Sequence, residues 1–76
     1  MNTDWNKISS NLLKGELSRR GMTHEMLINK LSKIGVTETL SSIRSKLNRG
    51  SFSLTFFLQC MKALDVKVIH LETMLS

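Results

Sequence analysis

The stretch Thr39-Leu40-Ser41-Ser42-Ile43-Arg44-Ser45-Lys46-Leu47-Asn48-Arg49-Gly50 decides how the chain is read. Leu40, Ile43 and Leu47 recur at three- and four-residue spacing, which places them on one face of a helix. At about 100° per residue, Glu38, Ser42, Ser45 and Arg49 then point outward. Ser41 and Asn48 flank one side of that face and Lys46 the other, with Arg44 at the edge of the apolar stripe. Thr37 or Thr39 caps the start of this helix, and Gly50 is placed to end it. The outward surface therefore combines small polar side chains with long cations at its margins. A helix entering a major groove needs both. Short serines let the backbone approach base edges, where hydroxyls donate or accept, and cations reach phosphates and fix orientation. A solvated polar face is the plainer reading of the same pattern.

Moving outward, three further helical blocks are expected. The first runs from Asp4, a good N-cap, to Arg20, with Trp5, Ile8, Leu12, Leu13 and Leu17 as its apolar stripe. Arg19 and Arg20 complement the helix dipole, and Gly21 follows as a C-terminal stop. The second opens on Thr23 with Glu25 in its first turn, carries Met26, Leu27, Leu31 and Ile34 on its apolar side, and stops at Gly35. The last takes Ser53 as cap and runs to Leu64. Its Leu54, Phe57, Leu58, Met61 and Leu64 make a dense apolar face, expected to be the central core helix. The segment Val66-Lys67-Val68-Ile69-His70-Leu71-Glu72 is β-branched enough for a strand but short enough for a helical turn. As a strand it would need a partner, which a symmetry mate could supply.

The 76 residues make one domain, with a core spanning 4–65 and a separate C-terminal segment, 66–76. A chain this short buries only about 60% of its unfolded surface, so staples or association are the usual remedies. A lone cysteine, Cys60, excludes an internal disulfide, and His24 and His70 lie too far apart to begin a zinc site. No metal or cofactor is expected, and homodimerisation is the favoured remedy. No proline, linker or repeat is apparent. The N-terminus lacks a signal-like apolar stretch and no run is long enough to span a bilayer, so a cytoplasmic location is expected, with no membrane partner. Eleven Lys and Arg against six Asp and Glu give a net charge of +5, a balance suited to a polyanion. The asymmetry is local: from Thr39 to Leu64 there is no acidic residue, while Arg44, Lys46, Arg49 and Lys62 are basic.

Several segments, in order, resemble lambda-repressor-like (Cro and XRE type) helix-turn-helix domains. They are Leu12-Leu13-Lys14 with Leu17; Gly21-Met22-Thr23-His24-Glu25-Met26-Leu27 with Leu31; Asn48-Arg49-Gly50; and Ser53 to Val66. The resemblance covers roughly residues 12–66 and implies an all-α bundle of four to five helices that binds double-stranded DNA. A short C-terminal β-strand used in dimerisation is the open alternative at the tail. By position it implies base contacts from Glu38, Thr39, Ser41, Ser42 and Ser45. It implies phosphate contacts from Thr23, His24, Arg44, Lys46, Asn48, Arg49 and Ser51. His24 stands where the family usually has a glutamine, and Thr23 could present its backbone amide to a phosphate. The chain departs from the pattern between Leu31 and Gly50, where it is about six residues longer than the usual helix-turn-helix spacing. The turn through Ser32-Lys33-Ile34-Gly35-Val36-Thr37 must lengthen, or a helix must gain a turn. That spacing and the valine-rich end are also similar to a group of short bacterial proteins of unassigned function.

The reading is a small homodimeric transcriptional regulator, whose two recognition helices about 34 Å apart would read a palindromic site. A protein-interaction module of the same fold, antitoxin-like or borne by a phage or plasmid as an inhibitor, is the rival. Catalysis has little support, because neither histidine has an evident aspartate orienter and no small-molecule substrate is indicated. Cys60 reads as a small buried hydrophobe. His70 reads as an exposed tail residue, Phe52, Phe56 and Phe57 as core or interface residues, and Trp5 as packing helix one against the body or a partner.

Overall fold

Each helix begins on a side-chain oxygen that takes up an otherwise unpaired backbone donor. In a computed structural model, which describes residues 3–69, the side chains of Asp4, Thr23, Thr39 and Ser53 accept hydrogen bonds from the backbone N–H groups of Lys7, Met26, Ser42 and Phe56 at 3.0–3.1 Å. These caps open α1 (Trp5–Arg19), α2 (His24–Lys33), α3 (Leu40–Arg49) and α4 (Leu54–Ala63). Of the two candidate caps for α3, the structure uses Thr39.

Three of the four helices end in the same way. Met22, Val36 and Val66 donate their backbone N–H to the carbonyls of Leu17, Leu31 and Met61 at 2.9–3.0 Å. The residue before each donor sits in the left-handed region: Gly21, Gly35 and Asp65. This is the Schellman closure, with an apolar donor residue beside the apolar residue it bonds. The first two copies also share sequence. Leu17-Ser18-Arg19-Arg20-Gly21-Met22-Thr23 and Leu31-Ser32-Lys33-Ile34-Gly35-Val36-Thr37 agree in register at Leu, Ser, Gly and Thr. The chain therefore does carry a short internal repeat, contrary to the expectation of none, and the repeated unit is a helix stop.

Six residues, Ile34 to Thr39, connect α2 and α3.

α3 packs on α1 and α2, and α4 packs on α2. The core comprises Leu13 and Leu17 from α1, Leu27 and Leu31 from α2, and Ile43 and Leu47 from α3. Phe56, Cys60 and Met61 join them from α4, with Leu64 just beyond it. Burying each large aliphatic group of this set contributes about 1.5–3 kcal/mol. One polar link pins α1 to the end of α3: buried Ser10 donates from its hydroxyl to the carbonyl of Leu47, one of the α3 carbonyls with no partner inside the helix.

The apolar faces differ from expectation in three helices. Trp5 is 62% exposed and is not among the residues packed against the core. On α2, Met26 and Ile34 are exposed while Ile28 packs against the core in their place. On α4, Leu54 (71% exposed) and Leu58 (56% exposed) face out, and the buried line passes through Phe56, Cys60 and Met61. The physical reason is that outside one polar stripe, Thr55, Gln59 and Lys62, α4 is apolar over a wider arc than it can bury, so hydrophobic spacing alone does not choose which part of that arc turns inward.

The described residues contain no strand. Val66 to Ile69 have no regular structure, with Val66 and Ile69 packed against the core. The rest of the expected strand, His70 to Glu72, lies outside the described residues, as does the reading of His70 as an exposed tail residue. No helix is long and apolar enough to cross a membrane among the described residues.

Candidate nucleic-acid interface

The candidate face is the side of α3 turned away from Ile43 and Leu47. Ser41, Arg44, Asn48 and Arg49 are exposed there, and Ser42 and Ser45 are half-buried. Ser51 is exposed in the loop that follows. Among the described residues, neither Arg44 nor Arg49 takes part in an ion pair. Arg49 lies in the last turn of α3, where its charge complements the helix dipole. At the start of α2, exposed Thr23 and half-buried His24 occupy the cap and the first helical position.

Two of the expected contact residues are already engaged within the fold. Glu38 does not point outward with the serines. It precedes the Thr39 cap, so it lies outside the helix whose periodicity placed it there, and its side chain is only 9% exposed. Its carboxylate pairs with the ammonium of Lys46. Lys46 in turn lies 4.6 Å from the centroid of the Phe56 ring, within range of a cation–π attraction. Glu38, Lys46 and Phe56 thus form a chain of contacts tying the α2–α3 connection, α3 and α4 together. Glu38 is corrected from an outward position to a nearly buried one, and Lys46, still partly exposed, is its counterion. Thr39 is exposed, but its oxygen serves as the α3 cap at 3.1 Å from the Ser42 nitrogen.

The remaining structural acid was not anticipated. Glu16 is buried on α1 and accepts from both Arg19 and Arg20, the latter at 2.5 Å. The spacing i, i+3 and i, i+4 was a legible signal for this clamp. No such local rule covers Glu38 and Lys46, which lie eight residues apart.

Cys60 is fully buried behind this arrangement. Burial pushes its thiol up to about 12 from an ordinary 9.0, reinforced by the nearby Glu38 charge and opposed by Lys46. A thiol so held is a packing group, not a nucleophile. Among the described residues no cluster of three or more His, Cys, Asp or Glu could hold a metal ion.

Fold and face together define a small four-helix α domain that presents one hydroxyl-rich helix side carrying uncommitted arginines. Residues 5–69 match the family described as "Domain of unknown function (DUF6471)", and the chain belongs to that family. No curated protein and no solved structure matches it.

Proposed function

We propose that the chain binds double-stranded DNA through α3, as a small regulator of transcription built on a helix-turn-helix bundle with a lengthened turn. The observation that supports this reading is the character of the α3 face. It offers exposed Ser41, Asn48, Arg44 and Arg49, it lies outside the core, and the nearest acid, Glu38, is neutralised by Lys46. In this reading Ser41, Ser42 and Ser45 meet base edges, with Thr39 at the groove margin, while Arg44, Asn48, Arg49 and Ser51 hold phosphates. Thr23 and His24 add a backbone contact at the start of α2.

Fluorescence anisotropy of a labelled duplex pool across a salt series tests it. Log affinity should fall with log salt by about 0.9 per phosphate contacted. Arg44→Met and Arg49→Met should each lower that slope by about one contact, whereas replacing the pair together, Glu38→Gln with Lys46→Met, should leave it unchanged because the two charges already cancel. A binding isotherm without salt dependence, or none at all at low salt, defeats the proposal.

A further inference from the structure

The last turn of α3 lies directly on α1. Buried Ser10 donates to the Leu47 carbonyl, and a Cβ at Gly50 would fall 1.8 Å from the carbonyl oxygen of Asn6. Asn6 and Ser10 therefore mark the line along which α1 faces α3, and α1 turns a flank to either side of it. At about 100° per residue from Ser10, Ser9 and Leu12 fall on one flank and Lys7, Asn11 and Lys14 on the other. The first flank is turned toward α4, because Ser9 and Leu12 line a groove with Phe52, Leu54 and Phe57. Lys7, Asn11 and Lys14 thus stand on the side of α1 away from α4, and all three are exposed.

α3 divides in the same way. Lys46, 4.6 Å from the centroid of the Phe56 ring, marks its flank toward α4. At about 100° per residue from buried Leu47, Arg44 and Asn48 turn to the opposite flank, where both are exposed. One end of α4 is the reference for both helices, since Phe52 packs edge-on against Phe56 with ring centroids 5.7 Å apart. The two outer flanks therefore face the same side of the molecule. That side carries Lys7, Lys14 and Arg44, with Asn11 and Asn48 beside them, and among the described residues none of these cations takes part in an ion pair. Asp4 stands at the outer end of α1 with its oxygen taken up as the helix cap, and Glu16 within α1 is buried and held by Arg19 and Arg20. The flank of Arg44 and Asn48 runs on into Ser41 and Ser45, so the lysines of α1 extend the face proposed for DNA.

We infer that α1 is a second phosphate-binding element, in which Lys7 and Lys14 hold the backbone of a duplex whose groove is entered by α3. The inference rests on the DNA reading above and adds contacts outside α3 to it. Seven residues at about 1.5 Å each set the two lysines about 10 Å apart along the helix. One strand of a duplex carries a phosphate about every 3.4 Å of its axis, so two ammonium groups at that spacing meet separate phosphates of one strand. A protein partner would call for apolar or aromatic anchors at the centre of the contact, and the residues of this flank are cations and amides instead.

Anisotropy of the labelled duplex pool across a salt series, with the full chain, tests it. Lys7→Met with Lys14→Met should lower the slope of log affinity against log salt by about 1.8, two contacts at roughly 0.9 each. Helical circular dichroism should be unchanged, because both side chains are already exposed. Lys62→Met with Lys67→Met removes the same charge from exposed positions on and after α4 and should leave the slope at the wild-type value. A wild-type slope in the Lys7, Lys14 variant, while Arg44→Met and Arg49→Met still lower it, overturns the inference and spares the DNA reading. An equal fall in the Lys62, Lys67 variant also overturns it, since the attraction would then be one of overall charge. Wild-type protein that shows no salt-dependent binding removes the DNA reading and this inference with it.

Discussion

Gly50 carries two constraints that Gly21 and Gly35 do not share. All three adopt positive φ, but a Cβ added at Gly21 or Gly35 would meet nothing within 4 Å, whereas one at Gly50 would fall 1.8 Å from the carbonyl oxygen of Asn6. The end of α3 touches the backbone of α1 there, beside the Ser10–Leu47 hydrogen bond. Alanine at position 21 or 35 should cost the left-handed penalty, about 1–2 kcal/mol, read from denaturant midpoints. Gly50→Ala should cost clearly more, because relieving the clash must displace one of two packed helices. Equal costs at the three sites would show that the close approach is absent. Cys60 supports a pH prediction. Its raised pKa means that the unfolded chain ionises first as pH climbs, so the stability tied to the neutral thiol is intact below about 9 and is lost between 9 and 12. Urea midpoints for wild type and Cys60→Ala should converge across that window. Below it the native thiol should resist iodoacetamide except through unfolding.

Asp65 closes α4 in the position that Gly21 and Gly35 hold in the two earlier closures, and it is the one described non-glycine residue with positive φ. It also places a negative charge at a helix C-terminus, where the dipole disfavours it. Asp65→Gly should therefore stabilise the fold by about 0.5–1 kcal/mol, the left-handed and dipole penalties relieved exceeding the added freedom of the unfolded glycine. A fall in midpoint would mean that the Asp65 side chain makes a contact outweighing both. The helix boundaries were legible because each is written in a few adjacent residues: a cap oxygen at Asp4, Thr23, Thr39 or Ser53, and a glycine at positions 21, 35 and 50. The face of α4 was not legible, since Leu54 and Phe56 are equally apolar and only packing against α2 decides between them. The candidate site divides in the same way. Ser41, Arg44, Asn48 and Arg49 follow from helical periodicity, while the removal of Glu38 and Lys46 depends on an approach across eight residues and a third helix.

The charge of the chain is not spread evenly over its surface. Glu16 is held by Arg19 and Arg20 and Glu38 by Lys46, so two of the six acids are paired within the fold, while among the described residues Arg44 and Arg49 take part in no ion pair. The groove between α1 and α4 carries apolar and uncharged polar groups instead. Contacts made by the arginines should weaken as counterions compete, with affinity for duplex falling steeply between about 50 and 200 mM salt. Over the same salt range duplex affinity should accordingly drop by at least tenfold for two or more phosphates per protomer. An anisotropy series on one preparation would check this. An affinity that held level over that range would show that the arginines are not the contacts.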